Sequence, residues 1–381
     1  MKGLNIWVIG RNYPQQSNGM QGSFELEQAK LLGKHYDKVS YLSCSLRPAN
    51  LIKRKQYQAW EEEGISIYTY TDFFWPRIYP FYAIKCRNRI WHLFLKRVQE
   101  NTGMPDVIHV HYPAMLLLAE VLKDYHEKGI KIFVTEHWSK VLTESLNRKE
   151  MEHYRKYLEY VDEWICVGKS LADSISNIAG NNKLSITVIP NIVSQKFKPS
   201  ITKHNGFKFI AIGRLVKIKQ FDKIILAFTK CFRNQDVVLE IVGDGEEYKS
   251  LKKLIIKLHM DKQIILTGYL CKDLVVQKLM NADCLICYSQ VETFGVPVVE
   301  AWLTGIPTIV SSGASVAADY FDKKLGIEVS PNDTKKLMQA MKHIYSNIGD
   351  YDKNYLSTYA KANFSEEVVN KKLMDIYQTY E

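Results

Sequence analysis

The sequence predicts an α/β protein made of two doubly wound domains. The chain has 381 residues, 46% of them hydrophobic, which is enough apolar material for more than one core. Short runs rich in β-branched residues alternate with segments of helical periodicity, a pattern typical of parallel sheets covered by helices. The alternation stops in a polar segment at 192–206 and begins again at residue 207. We therefore expect two domains of similar architecture.

The first half contains seven short apolar runs that we predict to be strands. They are 4–10, 38–44, 65–70, 107–111, 131–136, 163–168 and 185–191. Amphipathic helices fall between them, for example at 23–35, 81–99 and 148–160. A helix between consecutive strands is what a parallel crossover connection requires.

The second half repeats this order with five predicted strands. They are 207–213, 237–243, 263–268, 283–289 and 306–311. The predicted helices lie near 220–233, 246–259, 271–281, 296–304 and 333–346. A last helix, at 364–380, has a good N-cap in Ser365.

These elements predict three parts of the chain. Residues 1–191 form an N-terminal domain, residues 192–362 form a C-terminal domain, and residues 363–381 form a C-terminal helix that packs back on the first domain. We expect the two domains to face a central cleft. Ligands of doubly wound sheets bind at the carboxyl ends of the strands, so the functional residues are sought there.

The charge and the cysteines narrow the classes of function. The net charge of +10 predicts an anionic partner, such as nucleic acid, anionic lipid or a phosphorylated small molecule. The chain has no run of about 18 apolar residues, and its first residues indicate a strand rather than a signal peptide. The seven cysteines are scattered, which favours a reducing cytoplasm. Cys284 and Cys287 form a C-x-x-C in an apolar run, where buried strand cysteines are favoured over a zinc or redox site.

Cations and aromatic residues are concentrated together in residues 47–99. This combination suits a membrane interface, where cations meet lipid head groups and aromatic rings lie at the boundary. The alternative is a solvated basic helix face with its aromatic residues in the core. The residues concerned are Lys53, Arg54, Lys55, Arg77, Lys85, Arg87, Arg89, Lys96 and Arg97, with Trp75, Tyr79, Phe81, Tyr82, Trp91 and Phe94.

Two turns in the second half carry residues suited to phosphate. Arg214 and Lys219 follow the strand at 207–213, and a guanidinium and an ammonium at this spacing can clamp a pyrophosphate. The alternative is two ordinary surface cations. The next turn, 242–246, has glycines that let backbone approach a ligand closely. It lacks the third glycine of a dinucleotide fingerprint, as does the turn beginning at Gly10, so nicotinamide binding is only weakly indicated.

The segment QVETFGVPVVEAWLTG at 290–305 places two acids in apolar surroundings. Gly295 and the following Pro297 predict a tight helix entry with free N–H groups that can hold phosphate. Glu292 precedes the helix and Glu300 lies one turn inside it, so the two carboxylates can reach different hydroxyls of one ligand. The alternative is a glutamate placed favourably on the helix dipole plus a loop acid.

Together these motifs resemble those of the retaining glycosyltransferases of family four. The matching residues are Gly213-Arg214-Leu215 with Lys219, Gly243-Asp244-Gly245, Asn281-Ala282-Asp283, Glu292-x7-Glu300 with Phe294-Gly295, Ala301-x3-Gly305-x-Pro307, and the interdomain segment Val188-Ile189-Pro190-Asn191. Their order and spacing match over the whole second half. The resemblance implies the GT-B fold, in which two Rossmann-like domains face a central cleft, the first binding the acceptor and the second a nucleotide-sugar donor.

The resemblance also implies a role for each residue of the donor site. Arg214 and Lys219 would bind the donor diphosphate, Glu300 the ribose hydroxyls, and Glu292 the hydroxyls of the transferred sugar. The implied backbone contacts come from Gly213, Gly243, Thr293, Phe294, Gly295 and Val296. The family needs neither metal nor cofactor, and the late Asp350-Tyr351-Asp352 is expected to be surface rather than a metal site.

The first half resembles the family more loosely. Where the family commonly has a Gly-Gly pair in its first loop, this chain has Asn18-Gly19-Met20-Gln21-Gly22, so Gly19 and Gly22 are both candidates for approach to the donor. Thr135-Glu136-His137-Trp138 matches the active-site histidine segment, which implies that His137 contacts the donor sugar or the reacting centre. His111 is a second candidate for the cleft, whereas His109 is expected to be packed in the core.

The resulting prediction is a metal-independent enzyme with catalytic residues His137, Glu292, Arg214 and Lys219. It would move a hexosyl group, with retention, from a nucleotide diphosphate sugar to a hydroxyl of a lipid-linked glycan acceptor in cell-surface polysaccharide assembly. UDP-sugars are slightly favoured over GDP-sugars as donors. The expected location is cytoplasmic and peripheral on the inner face of the membrane, through residues 47–99, with no nucleic acid as partner.

Two other classes of function stay open at this stage. A nucleotide-sugar epimerase has the same fold but consumes donor without an acceptor. A non-enzymatic binder of anionic lipid or nucleic acid would explain the basic segment but not the set of Arg214, Lys219, Glu292 and Glu300. A sugar phosphorylase is disfavoured, because no segment suggests the lysine that would hold pyridoxal phosphate.

Overall fold

A computed structural model describes residues 3–14, 22–48, 56–74, 80–113, 119–180, 184–194, 196–199 and 206–380. The chain forms two compact units. The first consists of Met1–Ile192 and Asn370–Glu381, and the second of Val193–Val369. Each unit contains one sheet with helices connecting its strands. The predicted fold class, two parallel-sheet α/β domains, is confirmed.

The first unit has an eight-stranded sheet. Its strands are β1 (Asn5–Gly10), β2 (Lys38–Pro48), β3 (Gln56–Glu62), β4 (Ile65–Phe74), β5 (Val107–His111), β6 (Lys131–Glu136), β7 (Glu163–Cys166) and β8 (Ile186–Val188). Their order across the sheet is β3-β4-β2-β1-β5-β6-β7-β8. All neighbours pair in parallel except β3 and β4, which form an antiparallel hairpin.

The described helices of this unit follow the strands as crossover connections. They are α1 (Ser23–Gly33), α2 (Pro80–Thr102), α3 (Ala119–His126), α4 (Ser139–Leu142), α5 (Arg148–Tyr157) and α6 (Lys169–Ala179). The longest is α2, with 23 residues. In the described part of the chain no helix combines the length and the apolar character needed to cross a bilayer.

The second unit has a six-stranded parallel sheet. Its strands are β9 (Phe207–Ile212), β10 (Val237–Val242), β11 (Ile264–Gly268), β12 (Cys284–Cys287), β13 (Thr308–Ser311) and β14 (Gly326–Val329), in the order β11-β10-β9-β12-β13-β14. Its helices are α7 (Phe221–Phe232), α8 (Tyr248–Lys257), α9 (Lys272–Met280), α10 (Val296–Leu303), α11 (Ser315–Tyr320), α12 (Thr334–Ser346) and α13 (Lys353–Phe364). Cys284 and Cys287 lie on β12 as free thiols.

The last helix, α14 (Glu366–Gln378), joins the end of the second unit to the C-terminal residues of the first. Tyr377 is fully buried, and its ring packs edge-on against Phe133 of β6 at 5.0 Å. The Tyr377 hydroxyl lies 2.8 Å from Nδ1 of His109 on β5. The C-terminal residues therefore complete the core of the first unit.

Each sheet has one point where the strand order reverses direction. In the first sheet this point lies between β1 and β5, and in the second between β9 and β12. The loops after such a pair of strands diverge to opposite faces and leave a crevice at the carboxyl edge. The site residues are therefore expected at these two edges.

Strands β3 and β14 and helices α11 and α13 were not predicted from the sequence. Strand β3 has the sequence QYQAWEE, and its side chains are largely exposed because it is the edge strand of the sheet. It lacks the alternation of apolar residues by which a half-buried strand is recognised. The turn to β4 uses Glu63 and Gly64, both with positive φ, which is the geometry of a tight hairpin.

Candidate functional site

The carboxyl edge of the second sheet is built from loops that are tied together by backbone hydrogen bonds. The loop after β9 is bonded both to the loop after β10 and to the loop after β12, which is bonded in turn to the loop after β13. The bonds are Gly213 N to Val242 O (3.0 Å), Leu215 N to Asp244 O (2.9 Å), Gln290 N to Ile218 O (2.8 Å) and Glu292 N to Gly313 O (2.9 Å). The residues carried by these loops therefore have a shared, ordered framework.

Glycine is required where these loops approach most closely. Gly243 has φ of +144°, and a Cβ there would lie 1.9 Å from the carbonyl oxygen of Gly213. A Cβ on Gly313 would similarly lie 2.0 Å from the carbonyl oxygen of Gln290. Any side chain at either position would force the backbone of the neighbouring loop away.

The structure brings Lys219 and Glu292 together as an ion pair. Both side chains are mostly buried, with 21% and 19% of their surface exposed. Burial lowers the pKa of Lys219, and the nearby thiol group of Cys287 opposes that shift. The ion pair was not expected from the sequence, which assigned the two residues to different parts of one ligand. A bound diphosphate would compete with Glu292 for Lys219.

Glu300 lies on α10, in the second helical turn after the Gly295 entry. Burial raises the pKa of its carboxyl group to about 7, and the positive charge of Lys272 opposes the shift. Within the described residues the carboxyl group has no hydrogen-bond or ion-pair partner. Lys272, the first residue of α9, had no assigned role in the sequence analysis, because only the fold places it within electrostatic range of Glu300.

The entry of α10 leaves backbone donors free. Gly295 caps the helix with φ of +109°, and Phe294 is buried with its ring 5.8 Å from that of Phe364. The carbonyl oxygen of Phe294 accepts from the N–H of Val316, at 2.9 Å. Among the described residues the N–H groups of Phe294, Gly295 and Val296 have no acceptor. Free N–H groups and the positive end of the helix dipole form an anion site.

Arg214 and Thr293 complete the predicted set on this edge. Arg214 follows β9 after Gly213, is exposed, and has no side-chain partner in the part of the chain that the structure describes. Thr293 is half-buried between Glu292 and Phe294. In the segment Asp350-Tyr351-Asp352, the side chain of Asp352 has a structural role. It caps α13 by accepting from the N–H of Asn354 at 2.8 Å.

The carboxyl edge of the first sheet carries a row of neighbouring, nearly parallel rings. His109 and His111 on β5 have ring centroids 4.8 Å apart, and His111 and His137 have centroids 5.4 Å apart. Tyr112 stacks on the other side of His137 at 4.7 Å, and the Arg11 guanidinium lies 3.7 Å above the Tyr112 ring. Arg11 follows β1, so the row spans the point where the strand order reverses.

Burial keeps these histidines neutral. It lowers the pKa of His109 and of His137 to about 3, and it lowers the pKa of His111 well below its ordinary value. His109 is fully buried, as expected, and its two ring nitrogens contact the hydroxyls of Tyr377 (2.8 Å) and Thr135 (2.6 Å). His137 is 8% exposed, and its Nε2 lies 3.1 Å from Nδ1 of His111.

Glu136 holds the backbone that carries His137. One carboxylate oxygen accepts the N–H groups of His137 (2.9 Å) and Trp138 (2.7 Å), and the other accepts the hydroxyl of Tyr154 (2.7 Å). Burial raises the pKa of Glu136 to about 7, and these three hydrogen bonds oppose the shift. Glu136 lies in the segment that matches the family, but no role was predicted for it. Its position directly before a histidine at the end of a strand was the sequence signal from which a role in fixing that histidine could have been predicted.

The first loop is anchored on both sides of the residues that lie outside the described ranges. Arg11 Nε donates to the fully buried carboxylate of Glu25 at 2.8 Å. Gly22 caps α1 with φ of +88°, and a Cβ there would lie 1.7 Å from the carbonyl oxygen of Asn12. Gly22 therefore has a structural requirement for glycine. Gly19, the other candidate of this loop, lies outside the described residues.

Two family comparisons cover most of the chain. Residues 193–362 match the family described as "Glycosyl transferases group 1". Residues 44–196 match the family described as "Glycosyltransferase Family 4". The first match includes all the loops of the second sheet described above. The second match includes His109, His111, His137 and Glu136.

Among curated proteins the chain is similar to two synthases. It is 27% identical over 215 residues to N-acetyl-alpha-D-glucosaminyl L-malate synthase of Bacillus anthracis, a match that spans 54% of this chain and 56% of that protein. It is 24% identical over 326 residues to alpha-monoglucosyldiacylglycerol synthase of Streptococcus pneumoniae, spanning 77% of this chain and 72% of that protein. The match to the first relative thus spans little more than half of its length.

Among solved structures, likeness extends over almost the whole chain. Sucrose-phosphate synthase of Thermosynechococcus elongatus has a TM-score of 0.78 at 14% identity, covering 98% of both chains. Anabaena Alr3699/HepE in complex with UDP-glucose has a TM-score of 0.74 at 16% identity, covering 99% of this chain and 100% of that one. At this identity the likeness establishes the fold, which is GT-B.

Proposed function

Since the chain belongs to the group 1 and family 4 glycosyltransferases, we propose that it transfers a hexosyl group from a nucleotide diphosphate sugar to an acceptor hydroxyl with retention of anomeric configuration. The proposal rests on the groups that lie at the carboxyl edge of the second sheet, in the loops after β9 and β12. There an unpartnered carboxyl group, Glu300, accompanies two cations and the free N–H groups of α10. These are complementary to the hydroxyls and the diphosphate of such a donor.

The diphosphate is assigned to the cations and the helix entry. Arg214 is exposed and unpaired among the described residues, and Lys219 can exchange Glu292 for phosphate oxygens. The N–H groups of residues 294–296 supply further donors at the positive end of α10. Their combined charge stabilises the nucleotide as it departs with the pair of electrons from the broken glycosidic bond. These groups supply the positive charge that a metal ion provides elsewhere, so we propose metal-independent transfer.

The hydroxyls are assigned to the two glutamates and to the first unit. Glu300 accepts from the ribose hydroxyls, and Glu292, released from Lys219, accepts from the sugar. His137 contacts the sugar, as the family resemblance implies. None of these groups is assigned as a covalent nucleophile. In the proposed step the acceptor oxygen bonds to the anomeric carbon on the face that the phosphate leaves, and the leaving phosphate oxygen takes the acceptor proton.

A panel of nucleotide sugars tests the donor. A ligand that binds only the folded protein raises its melting temperature by mass action. We expect UDP-sugars, at concentrations well above Kd, to raise it by several degrees, more than GDP- or ADP-sugars do, and without added Mg²⁺ or Mn²⁺. Absence of any shift across the panel would contradict the proposed donor site. Consumption of the donor sugar to an isomer without acceptor would instead favour an epimerase.

The acceptor is proposed to be lipid-linked, reached from an anionic membrane surface and used in surface glycan assembly. Supporting this, one relative is by name a glycolipid synthase. On α2 the side chains of Arg89, Lys96 and Arg97 are exposed, and Leu93 between them is 60% exposed. Arg97 also lies 3.8 Å from the centroid of the Tyr57 ring. Residues 49–55 and 75–79 of the predicted basic segment lie outside the described ranges.

A vesicle experiment tests this surface. Each surface cation near an anionic membrane contributes about 1 kcal/mol, so the Arg89→Ala, Lys96→Ala double variant should bind phosphatidylglycerol vesicles about tenfold or more weakly in co-sedimentation. The matched control is Lys252→Ala, Lys253→Ala, which removes two exposed cations from α8 of the second unit. Equal binding by wild type and both variants would argue against α2 as the membrane contact.

A further inference from the structure

His111 contains a buried atom that the proposed reaction does not explain. The residue is fully buried, and its Nε2 has no hydrogen-bond partner within the described residues. Its Nδ1 lies 3.1 Å from Nε2 of His137, and the planes of the two rings are within 17° of parallel. Nδ1 of His137 has no partner in the described part of the chain, but it is not sealed from solvent as Nε2 of His111 is.

The contact between the two rings contains one proton. Burial lowers the pKa of both histidines, and the nearby charge of Arg11 lowers it further, so both rings are neutral at pH 7. In a hydrogen bond between two neutral imidazoles, one ring donates and the other accepts. Either His111 donates from Nδ1, or His137 donates from Nε2.

The surroundings of His111 distinguish these two arrangements. If His137 donated, the proton of His111 would lie on Nε2 and form a buried N–H with no acceptor among the described residues. If His111 donates, Nε2 retains only a lone pair. An orphaned buried N–H is the rarer situation in folded proteins, and its full desolvation penalty is lost from stability. His109 does not compete for this proton, because its own nitrogens contact Tyr377 and Thr135.

We propose that His111 is a positioning residue that holds His137 in the Nδ1–H tautomer. His137 then presents a hydrogen-bond donor, and not an acceptor, to an oxygen of the bound sugar. The partner of one ring nitrogen determines where the proton of the other resides. The inference rests on the proposed function, in which His137 contacts the sugar, but the tautomer itself is a property of the ligand-free chain.

Nitrogen NMR tests the tautomer directly. The full chain is labelled with ring-¹⁵N histidine, and the His137 signals are those missing from His137→Asn. We expect the protonated nitrogen of His137 to be Nδ1 in the wild type, and the Nε2–H form to become populated in His111→Leu. A wild-type protein with the proton on Nε2, or a His137 tautomer unchanged in His111→Leu, would overturn the inference.

Calorimetric binding of UDP and of UDP-glucose tests the consequence. His111→Leu should bind UDP-glucose about tenfold more weakly, the loss expected for one hydrogen bond, and UDP with unchanged affinity. His111→Asn places an amide N–H near the position of Nδ1 and should restore binding of UDP-glucose to within about threefold of wild type. Equal losses in both variants, or an equal loss for UDP, would show that His111 acts through packing alone.

Measurements on His137→Ala separate failure of the proposed role of His137 from failure of the inference about His111. If His137→Ala binds UDP-glucose and releases UDP from it as the wild type does, His137 has no part in the reaction and its proposed role is rejected. If His137→Ala is impaired but the ¹⁵N signals show the proton on Nε2, the role of His137 stands and the inference about His111 is rejected.

Discussion

Lys219→Ala is expected to reduce release of nucleoside diphosphate from the donor about 10³-fold. Removing one preorganised charge from a developing oxyanion costs roughly 10²–10³ in rate, and Lys219 is also needed for ground-state binding of the diphosphate. Slow hydrolysis of the donor provides the assay, because it does not require the acceptor. Binding of UDP should weaken at least tenfold.

Two companion variants separate charge from folding. Lys217 is exposed in the same short 3-10 turn, and Lys217→Ala should retain activity. Lys219→Ala leaves the Glu292 carboxylate without its partner, whereas Lys219→Ala with Glu292→Gln removes both charges of the pair. The double variant should recover melting temperature but not activity. Near-normal turnover of Lys219→Ala would refute the assignment of the diphosphate site.

Glu300→Gln is expected to make the protein more stable and much less active. The amide is neutral and still accepts one hydrogen bond, but it lacks the charge that strengthens bonds to ribose hydroxyls, so donor binding should weaken by about 10²-fold. The affinity for UDP, measured by calorimetry, reports this loss without the sugar. Since the carboxyl group lacks a partner among the described residues, its retention is a cost to stability that the proposed function explains.

The gain in stability of Glu300→Gln over the wild type should increase as the pH rises. Burial raises the pKa of Glu300 from 4.5 to about 7. Between these values the folded state holds a proton that the unfolded state releases, so stability falls as pH rises and the penalty is complete above pH 7. Its upper limit is about 3 kcal/mol. Glu300→Gln should thus melt close to the wild type at pH 4.5 and several degrees above it at pH 8.

Glu136 and Glu328 provide the controls for this measurement. Burial also raises the pKa of Glu136 to about 7, so part of the pH dependence should persist in Glu300→Gln. Glu328 is exposed on β14, and Glu328→Gln should alter neither the pH profile nor UDP binding. A Glu300→Gln variant that is less stable than wild type at pH 8 would indicate an unrecognised partner of the carboxylate.

The strands that the sequence identifies most clearly are those buried on both faces of a sheet. The central strands, such as β1 and β10, are buried along nearly their whole length and appear in the sequence as continuous apolar runs. The edge strand β3 is polar and exposed, so local pattern could not identify it. Its pairing with β4 depends on the neighbouring strand and on the Glu63–Gly64 turn.

The candidate site was likewise predicted only in part from the sequence. Spacing along the chain located Arg214, Lys219 and both glutamates of the second unit, because each follows a strand that the sequence identifies. It did not predict that Lys219 and Glu292 neutralise each other, or that Lys272 acts on Glu300. Those contacts join loops after different strands, and the strand order that brings them together is not encoded in any local window.

By itself the sequence determined the class of fold and which strand ends carry cations and carboxylates, since these depend on periodicity and spacing within short segments. Its motifs resemble those of the family that the comparisons match. Only the tertiary structure decided which of these groups are paired and which are free. Glu292 is held by a cation, Glu300 is half-buried without a partner among the described residues, and His137 is hydrogen-bonded to His111. The reason is physical: pairing and desolvation depend on distances of a few ångströms across loops that are far apart in the chain.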